Sequence, residues 1–256
     1  MSYDDTLVSI AMTCYNQENF ICDAIQSVID QSYMNWQLVI VNDFSTDHSL
    51  KTIKKFCNKK NIRHKVKIIN HIENKGYGIS LNDAISYSKG ELVGILDADD
   101  VLFDRDAIKV SVKKHLQYPN VSLTYSRYNE CNKRLKTILV YKTRQLEDDE
   151  SFLKPKKRIR ISHFKMLKKK LFNLTEGINP KLKQTVDKDL VLKMEEVGKL
   201  LFIDKVLYSY RKHSKNLTRT IRKKGKGYEN FVVAMRKEIY ESARQRRKKI
   251  KNENIY

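Results

Sequence analysis

Asp97, Asp99 and Asp100 crowd three carboxylates into four residues, at the end of the short apolar run Leu92-Val93-Gly94-Ile95-Leu96. Acids this close repel one another, and a cation relieves the repulsion. Carboxylate oxygens suit Mg2+ or Mn2+, which bind one or two protein carboxylates and fill their shells with water and substrate phosphates. An apolar run of this length between polar residues predicts a buried strand. The acids then sit at the strand's C-terminal end, where open α/β sheets bind their ligands. The plainer alternative is an Asp-rich turn that caps the next helix.

The stretches that must position these acids alternate in period. Residues 7–13 read as a strand. Ile21, Ala24, Ile25, Val28 and Ile29 then recur as one face of a helix. Residues 36–41 read as a second strand that runs into Asn42-Asp43, with Ser45-Thr46-Asp47 capping a helix that buries Leu50, Ile53 and Phe56. Residues 66–69 are a third strand, residues 74–78 a glycine-bearing turn, and Leu81, Ala84 and Ile85 a third helical stripe. Strands alternating with helices predict a parallel, Rossmann-like sheet. There is no internal repeat and no G-x-G-x-x-G, so a dinucleotide fold of the usual kind is not expected.

Beyond the acids, Ile108, Val112 and Leu116 mark a fourth helix that Tyr118-Pro119-Asn120 stops. Residues 121–128 and 135–141 read as strands. Nine of the seventeen residues 154–170 are basic, which predicts a solvated surface facing acceptor or membrane, with Ser162 able to cap a helix. Asp187-Lys188-Asp189 opens a helix with Leu190, Met194 and Val197 on one face, and residues 201–203 and 206–210 read as two short strands. Tyr228, Phe231, Val232, Met235 and Ile239 mark a last amphipathic helix. It runs into residues 244–251, where six of eight are basic.

The chain has 256 residues, 41% hydrophobic, enough for a real core, and a formal charge of +21 from 51 Lys+Arg against 30 Asp+Glu. That excess favours an anionic partner: nucleic acid, anionic lipid or phosphorylated ligands. No run approaches the length of a membrane span. The acidic start Met-Ser-Tyr-Asp-Asp lacks a signal peptide's basic and apolar regions. The expectation is a cytoplasmic protein, with Cys14, Cys22, Cys57 and Cys131 as reduced thiols rather than a disulfide or zinc framework. The sequons at Asn120, Asn173 and Asn216 then read as chance occurrences.

Several pieces together resemble family 2 glycosyltransferases, most closely bacterial capsular and glycosaminoglycan-type members. They are Thr13-Cys14-Tyr15-Asn16 after the first strand, Val41-Asn42-Asp43 with Ser45-Thr46-Asp47, Asn74-Lys75-Gly76 with Asn82, and Asp97-Ala98-Asp99-Asp100. Val186-Asp187-Lys188-Asp189-Leu190 and Tyr208-Ser209-Tyr210-Arg211-Lys212-His213 then resemble that family's acceptor half. The resemblance covers residues 7–218 in order and spacing.

That resemblance implies a GT-A fold: an α/β, Rossmann-like mixed sheet flanked by helices, here with a basic C-terminal helical extension. It implies a nucleotide-sugar-binding half over residues 1–118, an acceptor-binding half over 119–218 and the extension over 219–256. It further implies a UDP-sugar donor, Mn2+ or Mg2+, inversion at the anomeric carbon, and a glycan or lipid-linked acceptor. Position by position, Thr13 and Tyr15 would contact the nucleobase, Asp43 the uracil ring, and Asp97 the ribose or the ion's outer shell. Asp99 and His213 would be metal ligands, Arg211 or Lys75 would neutralise the diphosphate, and Asp187 would be the general base. The chain departs from the family at Val186, which replaces the first acid of a Glu-Asp pair.

Each position also has a bland reading. Asp43 could cap a helix, His213 could be an exposed residue of a basic tail, Asp187 a helix-start acid favoured by the macrodipole, and Tyr15 a core aromatic. Two rival functions stand beside the transferase: a basic nucleic-acid-binding α/β module, and a degenerate relative that binds donor without turnover. The first explains the charge but not the ordered acids at strand ends. The basic C-terminal helix suits an anionic membrane surface, a second subunit or the body of the protein, so peripheral membrane association is expected alongside a cytoplasmic location.

Overall fold

A computed structural model describes residues 5–182, 184–214, 216 and 226–253. Its centre is one mixed sheet. β1 (Val8–Cys14), β2 (Trp36–Asn42), β3 (Val66–Asn70) and β4 (Leu92–Ile95) are parallel, in the order β3-β2-β1-β4. α1 (Ile21–Ile29), α2 (Ser49–Lys59) and α3 (Tyr77–Ser86) make the crossovers between them. The sheet continues from β4 through antiparallel β8 (His163–Lys168) and β6 (Val121–Cys131) to β9 (Lys199–Arg211), which is parallel to β6. The short β5 (Val101–Leu102) closes that edge, and β7 (Thr137–Tyr141) pairs with β6 as a hairpin arm.

Both faces of the sheet are covered, which is why its strands are near-continuous apolar runs. Ile10, Met12, Leu38 and Ile40 face a core shared with Ile25 and Val28 of α1, Ile53 of α2, and Ile108 and Val112 of α4 (Ala107–Gln117). Ala11, Val39, Val41 and Val93 point the other way, toward Leu81 and Ile85 of α3 and Leu190 and Met194 of α6 (Val186–Glu196). This alternation is the two-residue period of a strand. Ser45, read as part of a cap, instead binds the facing loop, as does Ser49 at the helix start: their hydroxyls accept from the Asn16 and Gln17 N–H groups at 3.0 and 2.8 Å. α2 accordingly starts at Ser49 and buries Ile53 and Cys57, with Leu50 and Phe56 at the margin.

The basic stretch 154–170 departs most from its sequence reading. Instead of a surface with a helix after Ser162, it contains β8, hydrogen-bonded on both sides within the sheet. Phe164 and Met166 enter one core and Leu167 the other. The lysines fit because their stems cover apolar surface while their ammonium groups find carbonyls: Lys168 Nζ donates to Pro119 O at 2.5 Å and Lys169 Nζ to Ser86 O at 3.1 Å. A short helix, α5 (Lys169–Phe172), follows. The two strands expected at 201–203 and 206–210 form the single strand β9, whose pairing with β6 shifts register around Asp204-Lys205.

In α4, Leu116 is 41% exposed and His115 takes the buried place, its Nε2 3.1 Å from the Met166 carbonyl. Burial pushes the His115 imidazole from 6.5 down to about 4. Between those values the unfolded chain takes up a proton that the folded chain refuses. The stabilising contribution is therefore complete above about pH 6.5 and is lost as pH falls toward about 4. Urea unfolding is expected to show about 2 kcal/mol less stability from this residue at about pH 5 than at about pH 7. His115→Gln should flatten that dependence, and an unaltered slope would count against it.

The last helix, α7 (Lys226–Glu253), packs on the body of the protein. Met235, Ile239 and Ala243 join the α3/α6 core, and Val232 is buried beside them. Arg246 clasps Glu196 of α6 at 2.7 and 2.9 Å, and Arg247 reaches Glu195 at 2.6 Å. Phe231, read as part of the stripe, is 43% exposed. The division expected at 218/219 lies outside the described residues, as do 254–256 at the end of the extension. Among the described residues, no helix is long and apolar enough to cross a membrane.

Candidate active site

β1, β2 and β4 end side by side, with Cys14 opposite Asn42 and Ala11 opposite Ile95. The loops that leave them therefore meet at one edge. Asn16 laces two of these loops together: its Oδ1 accepts from Thr46 N at 2.8 Å and Asp47 N at 3.3 Å. Thr13 is half-buried near the end of β1, and Tyr15, just beyond it, is 47% exposed.

Asp43 is 3% exposed and organises the loop before α3. Its Oδ1 accepts from Lys75 N and its Oδ2 from Gly76 N, both at 2.8 Å. His71 places Nδ1 2.8 Å from the same Oδ1 and Nε2 3.0 Å from Asp83. Gly76 holds φ 88 and ψ 165, a region essentially closed to residues with a Cβ. That conformation aims two successive N–H groups at one carboxylate. The Lys75 side chain projects from this loop, exposed.

The acids after β4 divide by environment. Asp100 is fully buried, accepting from the Tyr208 hydroxyl at 2.8 Å and the Arg211 N–H at 2.7 Å. Burial, then Asp99 and Asp97, push its carboxyl well above the usual range against those two donors. Asp97 accepts from the Tyr77 hydroxyl at 3.1 Å. Burial and the neighbouring Asp99 push Asp97 up to about 6, with Lys165 and Tyr77 pulling it down. Asp99 stands half-buried between them in the chain and meets His213, 114 residues on, with Oδ2 2.8 Å from Nε2. Asn216 fixes that histidine, accepting from His213 N at 2.6 Å and donating to the Arg211 carbonyl at 2.9 Å.

This pair fits a divalent ion. Two adjacent ligands of an octahedral ion, each about 2.1 Å from it, lie about 3.0 Å apart, close to the Asp99–His213 separation. A carboxylate oxygen and an imidazole nitrogen suit Mn2+, and the repulsion that adds to burial in raising Asp97 and Asp100 is what a cation relieves. Among the described residues, no three or more His, Cys, Asp or Glu side chains form a metal-binding group. An ion here would therefore hold two protein ligands and take the rest from water and phosphate oxygens.

Asp187 lies in the first turn of α6, half-buried, with no hydrogen-bond partner among the described residues. Its charge is felt by Tyr77, Asp97 and Lys165, so it faces the same region. Val186 points away, 2% exposed and packed toward Gly78 of α3. A carboxylate at that position would be buried among apolar groups, at a cost of several kcal/mol. Asp189, two residues beyond Asp187, is also turned inward. It accepts from Asn179 N at 3.1 Å and Lys193 Nζ at 3.0 Å.

The structure thus gathers Asp97, Asp99, Asp187 and His213 in one region, with Thr13 near the end of β1 and Tyr15, Asp43 and Lys75 on the adjoining loops. Arg211 is differently placed. It is 1% exposed, donating to Asp23 at 2.9 Å and to the Lys133 carbonyl at 3.0 Å, with its guanidinium 4.8 Å over the Phe20 ring. Three further members escaped the sequence reading. Lys165 is buried, its ammonium pulled down by burial and held up by Asp187 and Asp97; it was hidden in a basic run. Tyr208, stacked on His163 at 4.3 Å, sits inside the quoted Tyr-Ser-Tyr motif. Asn216 follows His213 by three residues, a spacing that allows a side chain to bond back to the backbone.

Residues 9–174 match the family model described as Glycosyl transferase family 2. The chain is 30% identical over 234 residues to a hyaluronan synthase of Pasteurella multocida, covering 91% of this chain and 23% of that protein. It is 29% identical over 224 residues to a chondroitin synthase of Escherichia coli, covering 82% of this chain and 29% of that one. The chain thus spans less than a third of these curated relatives. Among solved structures it resembles S. aureus TarS 1–349, at TM-score 0.66 and 20% identity over 80% of this chain and 60% of that one. It also resembles a mannosyltransferase of Pyrobaculum calidifontis in complex with GDP-Man and Mn2+, at TM-score 0.62 and 16% identity over 80% of this chain and 56% of that one. These structural likenesses establish a shared fold.

Proposed function

The chain belongs to glycosyl transferase family 2, and from that premise we propose that it moves a sugar from a UDP-sugar to a hydroxyl of a glycan or lipid-linked acceptor, with inversion and with Mn2+ or Mg2+ bound. The observation that carries the reading is the contact of Asp99 with His213 at 2.8 Å across 114 residues, in the region that the charge of Asp187 reaches. A nucleic-acid-binding module would not need acids gathered in this way.

Thr13 and Tyr15 receive the base, Tyr15 by stacking its exposed ring. Asp43 has about four acceptor sites, and Lys75 N, Gly76 N and His71 use three of them. The fourth takes the uracil N–H, so base recognition and the shape of the Lys75 loop depend on one carboxylate. Asp97 receives the ribose. Asp99 and His213 hold the ion, which when bound offsets the charge that gathers on the departing diphosphate. Lys75 adds a second positive charge there. Arg211, its guanidinium buried against Asp23, the Lys133 carbonyl and Phe20, instead holds Asp100 through its backbone N–H at the end of β9 that delivers His213.

The acceptor hydroxyl is a poor nucleophile until its proton leaves. Asp187, a carboxylate with no competing described hydrogen bond, takes that proton as the hydroxyl attacks opposite the leaving diphosphate. One displacement inverts the anomeric centre, so only one base is required. A screen of nucleotide sugars should detect release of UDP that requires Mn2+ or Mg2+ and stops on chelation. Strongly salt-dependent nucleic-acid binding with no UDP binding would sink this reading.

A further inference from the structure

The hairpin formed by β6 and β7 presents apolar side chains that no described residue covers. Leu135, Ile138, Leu139 and Val140 are 37%, 56%, 50% and 43% exposed. Consecutive exposed residues on a strand mean that both of its faces are open. Among the described residues β7 pairs only with β6, so none of them covers its outer edge. Soluble chains ordinarily shorten, charge or cover such an edge. Here the charge stands around it: Lys133, Arg134, Lys136 and Lys142 are all exposed, and residues 132–142 contain no acid.

The hairpin is held in shape. Asn132 Oδ1 accepts from Arg134 N at 2.9 Å and Lys136 N at 3.1 Å. Leu135 sits in the left-handed region at φ 62, where glycine or asparagine is usual and a branched apolar residue is an outlier. At the base, Tyr128 stacks on Tyr141 at 4.7 Å, and the Arg160 guanidinium lies 4.7 Å over the same Tyr141 ring. The hairpin is also tied to the candidate site. Arg211 donates to the Lys133 carbonyl at 3.0 Å, Lys212 N to Cys131 O at 2.8 Å, and Lys212 Nζ to Glu130 at 2.5 Å. His213 is the next residue.

An apolar arm with cations at its turn and its far end complements an apolar layer beneath anionic head groups. We infer that the 132–142 hairpin docks this protein on an anionic lipid bilayer, with Leu135, Ile138, Leu139 and Val140 entering the head-group boundary. The C-terminal helix suits this role less, because Met235 and Ile239 of its apolar stripe are spent on the α3/α6 core, and its exposed Phe231, Val233 and Ile250 are not consecutive along the helix. Docking through the hairpin brings the end of β9, and the candidate site beside it, to the membrane surface. The inference concerns lipid binding, so it stands or falls separately from the transferase reading.

The test is co-sedimentation of the full chain with phosphatidylcholine vesicles, with and without phosphatidylglycerol. Binding is expected only where phosphatidylglycerol is present. It should fall by about tenfold or more in Ile138→Ser/Leu139→Ser/Val140→Ser, and by about fivefold per charge in Lys133→Gln/Lys136→Gln. Both variants replace exposed residues and should keep the wild-type thermal midpoint. Lys248→Gln/Lys249→Gln/Lys251→Gln on α7 should bind within about twofold of wild type. Equal binding to both vesicle types, retained binding by the hairpin variants, or loss only in the α7 variant would overturn the inference. So would a wild-type dimer that the hairpin variants dissolve in the absence of lipid binding, which would assign the surface to a second copy.

Discussion

Asp187→Asn is expected to lower kcat by about 10²–10⁴-fold while UDP binding stays near the wild-type value. The substitution is nearly isosteric and removes the ability to accept a proton together with one negative charge. Asp187 has no described hydrogen-bond partner, so no buried donor is orphaned and the helix start is retained. Asp189→Asn is the informative contrast. That carboxylate is 3% exposed and binds Lys193 and the Asn179 N–H, so its loss leaves a buried ammonium short of its partner. Breaking a buried pair from one side costs about 3–5 kcal/mol. The prediction is thus a loss of turnover at unchanged stability for Asp187, and a loss of stability for Asp189. A fully active Asp187→Asn enzyme would remove the base from the mechanism.

The same variant touches Lys165. Asp187 and Asp97 are the charges that hold the Lys165 ammonium up against burial. Removing one of them leaves Lys165 easier to deprotonate. A pH profile of residual activity would therefore move if Lys165 acts near the acceptor, and would keep its shape if Lys165 only packs the sheet.

What the sequence made legible follows from how local each signal is. The parallel half could be read because each of its strands is an apolar run closed by a polar loop, and each helix carries its own stripe. Ile21 to Ile29 appear in the structure with the bounds their spacing suggested. Asp43 and the Asp97–Asp100 cluster were visible because loops at strand ends are where such a sheet exposes functional groups. β8 was not legible, because its lysines mask the alternation of Phe164, Met166 and Leu167, and lysine stems can be buried when their ammonium groups find carbonyls. The single strand β9 was not legible either, since Asp204-Lys205 interrupts the apolar pattern while the backbone pairing continues with a shift in register. Long-range commitments lie beyond any one-dimensional pattern. The letters around Arg211 suit a phosphate ligand, but only the fold reveals that Asp23 and the Lys133 carbonyl already hold it. Val186 is a milder case: a departure in the motif corresponds to a side chain packed inward rather than one facing Asp97 and Lys165 as Asp187 does.

Asp99→Asn carries the second large effect. Neutralising charge on a leaving diphosphate is worth several kcal/mol of barrier, and each 1.36 kcal/mol is tenfold in rate. Turnover should therefore fall by about 10³-fold or more. UDP affinity, expected to rise with Mn2+ in the wild type, should become indifferent to it. General disruption would also lower activity, so stability must separate the two causes. Asp99 raises the carboxyls of both Asp97 and Asp100, which means that its charge works against the fold without a cation. Its amide replacement removes that repulsion and still offers an oxygen to His213. The thermal midpoint of the metal-free Asp99→Asn protein should equal or exceed that of the metal-free wild type, whereas added Mn2+ should stabilise the wild type alone. A variant that lost stability in chelator, or kept its response to Mn2+, would show that Asp99 and His213 meet for a structural reason and that an ion binds elsewhere.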